Sequence, residues 1–309
     1  MGVNLKELSK QKDLFASGHR ACAGCGPAIA VRQALLASGK DTIVSFATGC
    51  MEVVSTIFPY TAWEVPYIHS LFENSAATMS GIEAAYKALK KKGKVKKDIN
   101  LIAFGGDGGT YDIGLQALSG AMERGHDMLY ICYDNQAYMN TGIQRSGATP
   151  YGARTTTSPS GKVIPGKTRQ RKDLTEIMAA HNIPYVAQAS ISEWRDYISK
   201  VQKALSIKGP KFIVVFAPCQ LGWYYKKENT MKIADMAVRS RFWPLYEVEN
   251  GVHKITKEPR KVIPVEEWLR LQGRFRHLFK NGKKEIIEEI QKQADDRWAR
   301  LKKLEEAGV

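Results

Sequence analysis

A glycine-rich segment from residue 104 to 114 carries residue types suited to binding an anion and a metal ion. Its sequence is F-G-G-D-G-G-T-Y-D-I-G, in which four glycines let the backbone approach a diphosphate closely: Gly105, Gly106, Gly108 and Gly109. Asp107 supplies the hard oxygen that Mg²⁺ prefers, and Asn135, 28 residues further on, follows the next predicted strand. The Ala137 carbonyl can add a third oxygen ligand. This spacing predicts a site for a diphosphate held through Mg²⁺.

Cysteines form a second candidate site. Cys22 and Cys25 make a C-x-x-C pair, Cys50 and Cys219 each come just after a predicted strand, and Cys132 lies inside an apolar strand. Disulfides are rare in cytoplasmic proteins, so the pair indicates a metal site or thiol redox chemistry. Four thiolates from separate segments suit an iron–sulfur cluster or a structural zinc ion, and their spacing leaves both open. We expect Cys132 to be a small buried hydrophobic residue.

A nucleotide-binding P-loop is a competing interpretation. Gly161, Gly166, Lys167 and Thr168 match G-x-x-x-x-G-K-T, which binds phosphates when a buried strand leads into the loop and a helix leaves it. The residues that precede the match, Y-G-A-R-T-T-T-S-P-S, do not form a buried strand, and Pro165 lies within it. We therefore expect a surface loop. A P-loop ATPase and a zinc-binding structural module stay as alternatives of a different class.

The composition is that of a globular protein with a basic surface. The 309 residues are 44% apolar and 25% charged, and the net charge is +15. Seven lysines between Lys87 and Lys97 supply part of this charge at the end of a predicted helix. No zinc finger, RNP motif or basic-region zipper accompanies it, so acidic protein partners or anionic cofactors are favoured over nucleic acid.

The sequence contains no membrane or secretion signal. Apolar runs such as residues 211–217 are far shorter than the roughly 18 to 20 residues that span a bilayer. The first twenty residues lack an apolar stretch followed by a small-residue cleavage site. We expect a cytoplasmic chain that does not associate with membranes.

Short apolar runs alternate with stretches of helical pattern. Strands are predicted at 42–47, 99–104, 128–133, 184–189 and 211–217, and helices at Pro27–Ala37, Ser75–Lys92, Gly114–Arg124, Lys172–His181 and Glu193–Ser206. This alternation predicts an α/β fold with a doubly wound, mostly parallel sheet. Binding sites in such sheets lie beyond the carboxyl ends of the strands, where the residues singled out above are found.

The chain is predicted to have two parts. Residues 1–217 form a diphosphate- and magnesium-binding domain that begins with the C-x-x-C segment, and residues 218–309 form a C-terminal appendage that contains Cys219 and a terminal helix near 283–305. Residues 143–171 are polar and aperiodic, which predicts a long loop that packs over a site or a partner.

Six segments together resemble the β subunit of 2-oxoacid:ferredoxin oxidoreductases, most closely the pyruvate branch. They are C-A-G-C-G-P, T-G-C-M-E-V-V-S-T-I-F-P-Y, F-E-N-S-A-A, G-D-G-G-T-Y-D-I-G-L-Q-A-L-S-G-A-M-E-R-G, Y-M-N-T-G-I-Q-R-S and A-P-C, within a similarity that extends from about residue 15 to 280. The resemblance implies a sheet of the thiamine diphosphate-binding type. It also implies oxidative decarboxylation of pyruvate or a related small 2-oxoacid, with acyl transfer to coenzyme A and electrons passed to ferredoxin.

The same resemblance assigns roles to single residues. It implies that a [4Fe-4S] cluster, rather than zinc, is bound by Cys22, Cys25, Cys50 and Cys219. The implied Mg²⁺ ligands are Asp107, Asn135 and the Ala137 carbonyl, and the cofactor site also includes Gly49, Gly106, Gly108 and Gly109. Asn140 matches the amide that faces the bound 2-oxoacid and donates to its oxygen as negative charge develops there.

Further subunits are implied as well. In this family the glutamate that activates thiamine diphosphate and the main substrate clamp belong to an α subunit, and further clusters belong to γ and δ subunits or domains. This chain alone therefore leaves pyruvate, 2-oxoisovalerate and oxalate open as substrates. Arg154 stands in the long loop where the family resemblance leads us to expect tryptophan, and an added cation there would suit a more anionic substrate.

Overall fold

A computed structural model describes residues 4–280 and 282–309 of the chain. Its strands are β1 (Thr42–Ala47), β2 (Tyr67–Ser70), β3 (Asn100–Gly106), β4 (Leu129–Asp134), β5 (Tyr185–Ser190), β6 (Lys211–Phe216), β7 (Leu245–Glu249) and β8 (Val252–Lys257). They form one sheet in the order β2-β1-β3-β4-β6-β5-β7-β8. The first six strands are parallel, while β7 and β8 join antiparallel at one edge.

Helices connect the strands, and further helices come after the last strand in the sequence. The α-helices are α1 (Leu5–Leu8), α2 (Gly26–Ser38), α3 (Cys50–Ser55), α4 (Ser75–Lys91), α5 (Leu115–Glu123), α6 (Leu174–Ala179), α7 (Trp194–Ser206), α8 (Gln220–Trp223), α9 (Thr230–Arg239), α10 (Val265–Arg270), α11 (Arg276–Lys280) and α12 (Lys284–Ala307). The helix α4 packs with α5, and α7 packs with α2. Because crossovers between parallel strands are right-handed, the strand order puts these two pairs on opposite faces of the sheet. The fold is therefore doubly wound, as the sequence predicts.

The strand order creates a crevice between β1 and β3. From β1 the chain runs outward to the edge strand β2, whereas from β3 it runs the other way to β4. Neighbouring parallel strands whose connections leave in opposite directions open a gap at their carboxyl ends, where ligands bind in sheets of this kind. The buried rings of Phe46 in β1 and Phe104 in β3 stack at 5.3 Å and hold these two strands together beneath the crevice.

The predicted elements agree closely with those of the structure. All five predicted strands are present, and the predicted 42–47 coincides with β1. The five predicted internal helices and the terminal helix are also present, with ends shifted by a few residues. Residues 143–171 contain no helix or multi-residue strand, so the long loop is confirmed.

Three strands were not predicted. The edge strand β2 has only four residues, two of them exposed, and therefore shows no apolar run. The other two, β7 and β8, lie within residues 218–309, for which only a terminal helix was predicted. They form a hairpin that continues the sheet from β5, so residues 218–309 share a sheet with the preceding part. The division at residue 217 stays a prediction.

No helix in the described part of the chain is both long and apolar enough to span a membrane.

Candidate functional site

The carboxyl ends of β1, β3 and β4 surround a narrow cleft. It is lined by Thr48, Gly49, Cys50, Phe72, Gly106, Asp107, Gly108, Gly109, Tyr133, Asn135, Ala137, Tyr138, Met139, Asn140 and Thr141. All eight residues predicted to bind a cofactor, from Gly49 to Asn140, are among them. Cys50 lines the same cleft, so the predicted cluster site adjoins the predicted diphosphate site.

Close packing explains the glycines of the cleft. A Cβ atom on Gly108 would lie 2.5 Å from Cε1 of Tyr138, and one on Gly49 would lie 2.8 Å from the Tyr133 hydroxyl. Directly after Asp107 the chain enters a π-helix, Gly108–Asp112. The first turn of a helix has N–H groups without intrahelical partners, and here that turn borders the cleft. Backbone donors can therefore approach a bound anion without interference from side chains.

Three groups that could supply oxygen ligands to a metal ion converge at the base of the cleft: the Asp107 carboxylate, the Asn135 side-chain amide and the Ala137 carbonyl. The side-chain amide of Asn135 places one terminal atom 2.9 Å from Oδ1 of Asp107 and 2.8 Å from the carbonyl oxygen of Ala137. With its nitrogen turned towards them, the amide donates to both oxygens. With its oxygen turned towards them instead, the Asn135 amide oxygen faces the Asp107 and Ala137 oxygens, and no proton lies between them. The predicted Mg²⁺ ligands are thus neighbours in space.

Asp107 is a buried carboxylate without a cationic side-chain partner among the described residues. Burial, together with the negative charge of Asp134, raises the pKa of Asp107 well above its usual range. The hydroxyl of Ser146 donates to Oδ2 of Asp107, which opposes this rise. A hydroxyl alone does not neutralise a buried carboxylate, so the environment favours a cation at Oδ1.

Asp134, by contrast, has its charge compensated within the chain. Arg171 donates to its Oδ2 at 2.8 Å, and the Tyr111 hydroxyl donates to the same oxygen at 2.7 Å. Burial raises the pKa of Asp134, and the charge of Arg171 opposes that rise. Sequence reasoning missed this pair, although Asp134 directly precedes Asn135. The pair anchors the end of β4 and so fixes the position of Asn135, which follows it.

The long loop braces the cleft from outside. Ser146 contacts Asp107, and the backbone N–H of Gly147 donates to Asp112 Oδ2 at 2.7 Å. The hydroxyl of Tyr138 donates to the same Asp112 oxygen and to the Gly108 carbonyl, each at 3.2 Å. The loop therefore packs over the candidate cleft. The individual contacts of the loop could not be predicted, because a sequence without periodicity does not indicate which of its residues face the cleft.

The four predicted cluster cysteines come from three segments that pack together. Burial raises the pKa of the Cys50 thiol to about 12, and the charges of Cys219, Cys25 and Cys22 raise it further in that order. The pKa of Cys25 is also raised to about 12, first by burial and then by Cys219 and Cys22. Thiols that disfavour one another's ionisation lie close together, and as thiolates they would require a positive counter-charge.

Close packing around the C-x-x-C loop positions two of these cysteines. A Cβ on Gly24, whose φ is +73°, would lie 2.3 Å from the Lys227 carbonyl oxygen. The N–H of Gly26 donates to the Pro218 carbonyl at 3.2 Å, which joins the loop to the residue before Cys219. Within residues 4–280 and 282–309, no three His, Cys, Asp or Glu side chains are arranged to hold a single metal ion. Cys132 is fully buried in β4, as expected.

Asn140 lies at the mouth of the cleft. It is exposed, and it follows Met139, whose Sδ would lie 2.1 Å from a Cβ on Gly222. Gly222 in turn donates its N–H to Sγ of Cys219 at 3.4 Å. Asn140 is therefore accessible from solvent between the diphosphate site and the cysteine site, where a small substrate could reach it.

The P-loop interpretation is wrong. The loop from Gly161 to Thr168 is neither preceded by a buried strand nor followed by a helix, since the next helix, α6, begins at Leu174. Lys167 is buried, and its Nζ donates to the carbonyls of Ser146, Gly147 and Thr149 at 3.4, 3.3 and 2.5 Å. This lysine ties the long loop together and is not available to a nucleotide phosphate.

Arg154 lines a separate concave surface together with Tyr224 and Arg276, and it is not among the residues of the cleft. The suggested effect of Arg154 on substrate charge stays a prediction.

Comparison with known protein families defines the class. The family described as "Thiamine pyrophosphate enzyme, C-terminal TPP binding domain" matches residues 47–215, which extend from the end of β1 to β6 and enclose the cleft. The chain is therefore a member of the thiamine diphosphate enzymes, and this match supports the cleft as the diphosphate site.

Curated relatives narrow the class to one family. A pyruvate synthase subunit PorB from Thermotoga maritima is 53% identical over 99% of this chain and 98% of its own length. A PorB subunit from Methanocaldococcus jannaschii is 60% identical over 93% of this chain and 96% of its own. A ketoisovalerate oxidoreductase subunit VorB from Pyrococcus abyssi is 48% identical over 94% of this chain and 93% of its own. The chain therefore belongs to the family of 2-oxoacid oxidoreductase β subunits that includes these PorB and VorB proteins.

A solved structure supports the fold. The 2-oxoglutarate:ferredoxin oxidoreductase from Magnetococcus marinus, with 2-oxoglutarate, coenzyme A and succinyl-CoA bound, superposes with a TM-score of 0.55 at 22% identity over 66% of each chain. At this identity the likeness shows a shared architecture. Together with the family match, this confirms the expected sheet of the thiamine diphosphate-binding type.

Proposed function

We propose that this chain is the β subunit of a pyruvate:ferredoxin oxidoreductase, which oxidatively decarboxylates pyruvate, transfers the acetyl group to coenzyme A and passes two electrons to ferredoxin. The observation that carries the proposal is the convergence of Asp107, Asn135 and Ala137 in a cleft that also contains Cys50. The PorB relatives match nearly the whole chain and support pyruvate as the substrate.

Mg²⁺ fits the three converging oxygens. In an octahedron with Mg–O distances of about 2.0 to 2.1 Å, adjacent ligand oxygens lie about 2.9 Å apart. The distances from the Asn135 amide to Asp107 and Ala137, 2.9 and 2.8 Å, match such an edge. With its oxygen turned inward, Asn135 would hold the ion together with Asp107 and the Ala137 carbonyl. The ion would supply the positive charge that the buried Asp107 carboxylate requires and would bind the cofactor's diphosphate.

A [4Fe-4S] cluster fits the four cysteines. One zinc ion draws its thiolates to about 2.3 Å from a single point, whereas a cubane cluster holds its four thiolates farther apart. The thiols of Cys219 and Cys22 both raise the pKa of Cys25 and of Cys50, so the four cysteines lie near one another, as a cluster requires. Anaerobically purified chain should contain about four irons and little zinc. Stoichiometric zinc without iron would contradict the cluster and favour a structural zinc module.

Bound thiamine diphosphate supplies the carbon nucleophile that attacks the 2-oxo carbon and the ring system that accepts electrons. The chain's own residues position the reactants. The glycine turn and the start of the π-helix bind the diphosphate, and Tyr133 and Tyr138 hold that turn in place. Asn140 donates its side-chain N–H to the substrate oxygen as negative charge develops, a contribution of roughly 3 kcal/mol in comparable oxyanion sites.

Partner subunits complete the proposed site. Among the residues that the structure describes, the cleft lining contains no glutamate, and the family resemblance places the activating glutamate and the substrate clamp on an α subunit. Further clusters on γ and δ subunits or domains would carry electrons to ferredoxin. A cytoplasmic location belongs to the same proposal, because reducing conditions keep thiols free for cluster assembly.

A second candidate function is oxidation of 2-oxoisovalerate. The observation that favours it is the VorB relative, whose 48% identity is close to the 49% of a PorB subunit from Pyrococcus furiosus. Sequence identity to the curated relatives therefore does not distinguish pyruvate from 2-oxoisovalerate as the substrate.

Assaying the purified complex with coenzyme A and a viologen dye tests the proposal. Pyruvate, 2-oxoisovalerate and oxalate should be compared by kcat/KM, and we expect pyruvate to give the highest value. A higher kcat/KM for 2-oxoisovalerate or oxalate would contradict the pyruvate assignment while leaving the cofactor chemistry in place. Absence of turnover with every substrate by an iron-loaded complex would contradict the function as a whole.

A further inference from the structure

Lys167 is a buried lysine that forms no ion pair with a carboxylate among the described residues. It is 3% exposed, and its Nζ donates to the carbonyls of Ser146, Gly147 and Thr149. An ammonium group has three N–H donors, so these three carbonyls can accept all of them. Burying a cation costs free energy unless hydrogen bonds compensate for it, and here the hydrogen bonds come from one short turn. The buried charge therefore holds that turn in one conformation.

This turn, Ser146–Thr149, is closed by its own hydrogen bonds. The N–H of Thr149 donates to the Ser146 carbonyl at 3.3 Å, and the N–H of Ser146 donates to Oγ1 of Thr149 at 3.0 Å. Both residues are fully buried. The main chain of Lys167 is itself paired with a neighbouring part of the loop, since its N–H donates to the Ala153 carbonyl at 3.0 Å. Lys167 thus joins the turn to the rest of the long loop.

Each of the two hydroxyl groups of the Ser146–Thr149 turn contacts one side of the proposed metal site. The Ser146 hydroxyl donates to Oδ2 of Asp107, which leaves Oδ1 to face the other two predicted ligands. The Thr149 hydroxyl donates at 2.7 Å to the carbonyl of Gln136, the residue between those two ligands. Gln136 has a φ of +65°, a conformation that residues other than glycine rarely adopt. The turn therefore supports both segments that supply the predicted Mg²⁺ ligands.

We propose that Lys167 is a positioning residue for the magnesium site: it holds the Ser146–Thr149 turn so that Asp107 and the backbone at Gln136 keep the geometry that binds Mg²⁺-thiamine diphosphate. This assignment rests on the function proposed above. Groups that hydrogen-bond to metal ligands fix the orientation of those ligands, and losing one lowers metal affinity about 10- to 100-fold. The lysine of the G-x-x-x-x-G-K-T match would then serve a diphosphate site without contacting a phosphate.

The test measures cofactor affinity in the complete complex after thiamine diphosphate and Mg²⁺ have been removed. Lys167→Met keeps a long apolar side chain but lacks the ammonium group. Calorimetric titration should give a Kd for Mg²⁺-thiamine diphosphate at least about tenfold above the wild-type value. Ser146→Ala removes the hydroxyl that donates to Asp107 and should raise the Kd as well. Because both changes act through one contact, the double variant should raise the Kd by less than the product of the two single effects.

The matched control is Lys200→Met, which removes another buried lysine. The Nζ of Lys200 donates to the Gln188 carbonyl, to Asp196 and to the Thr256 hydroxyl, so its loss also removes buried hydrogen bonds. Lys200 lies on α7, which packs against β5 and β6, and it does not line the cleft. The Kd of Lys200→Met for the cofactor should therefore keep its wild-type value.

A wild-type Kd in Lys167→Met would overturn the proposed role. Equal rises in Kd in Lys167→Met and Lys200→Met would overturn it too, because they would indicate a general loss of stability. So would a double variant in which the effects of Lys167→Met and Ser146→Ala multiply in full. If Lys167→Met does not assemble, a wild-type Kd in Ser146→Ala would overturn the role instead. A wild-type complex that does not bind Mg²⁺-thiamine diphosphate would contradict the proposed function itself.

Discussion

Asp107 is the charged member of the three oxygen donors that converge in the cleft. Its carboxylate is buried, receives a hydrogen bond from Ser146 and lies near a second buried carboxylate, Asp134. Asp134 already has Arg171 as its partner, so the uncompensated negative charge belongs to Asp107. A divalent cation placed against it would gain both a ligand and charge neutralisation, so we predict that cofactor binding depends strongly on Asp107.

Replacing Asp107 by asparagine should separate the two cofactors. Asp107→Asn exchanges a carboxylate for a neutral amide, so the Kd for Mg²⁺-thiamine diphosphate should rise by more than about tenfold, while the visible spectrum of the cluster stays unchanged. Calorimetric titration and absorption spectroscopy measure the two effects. The matched control is the exposed Asp98→Asn, which lies just before the amino end of β3, opposite the cleft. Wild-type cofactor affinity in Asp107→Asn would remove this residue from the site.

Replacing Asn140 should affect rate rather than binding. In the proposed mechanism the Asn140 amide meets the substrate oxygen mainly as charge develops, so Asn140→Ala should lower kcat by roughly 100-fold and retain both cofactors. Steady-state kinetics on the complex, with iron and thiamine contents measured in parallel, check this. Loss of either cofactor, or a change confined to KM, would assign Asn140 a binding role.

Much of the cleft could be predicted from residue types at the ends of strands. Asp107 and Asn135 follow β3 and β4 directly, and neighbouring parallel strands bring such residues together. Ser146 and Arg171 could not be found in this way. They lie in the loop after β4 or at its end, where no periodicity relates a residue to its contacts. The spacing of the cysteines in the sequence also could not distinguish an iron–sulfur cluster from zinc, and that distinction depended on the family resemblance.

At the scale of elements, the parallel strands were predictable because burial on both faces makes them continuous apolar runs. In β4, β5 and β6 every residue is buried. The hairpin of β7 and β8 was missed because β8 lies at the edge of the sheet, where its residues are exposed or half-buried. A turn at Asn250 and Gly251, both with positive φ, was the available signal.

The shared sheet predicts that residues 1–217 do not fold alone. The truncated chain would lose β7 from the edge of β5, and it would lose Trp243, whose ring packs 4.7 Å from Phe216 and whose Nε1 donates to Ala189. Hydrogen exchange, compared with the full chain, should show that the amides of β5 and β6 lose their protection. Native-like protection in the fragment would instead establish residue 217 as a true domain boundary.

At the scale of the whole molecule, the chain brings the proposed diphosphate site and the proposed cysteine site together at the carboxyl ends of the strands. Asn140 at the mouth of the cleft is exposed, and Phe58 and Tyr60, in the loop after α3, are 93% and 81% exposed. Large exposed aromatic residues commonly mark protein interfaces. A partner that covers this side would exclude water from the cofactor and complete the active site.

The most direct test of this account measures pyruvate turnover by the purified chain, loaded with cofactors, before and after its partner subunits are added. The chain alone should bind Mg²⁺-thiamine diphosphate and a cluster but should neither decarboxylate pyruvate nor exchange carbon dioxide into it, and the added subunits should restore both reactions. Turnover of pyruvate by the isolated chain would contradict the shared active site and would require a glutamate of this sequence to activate the cofactor.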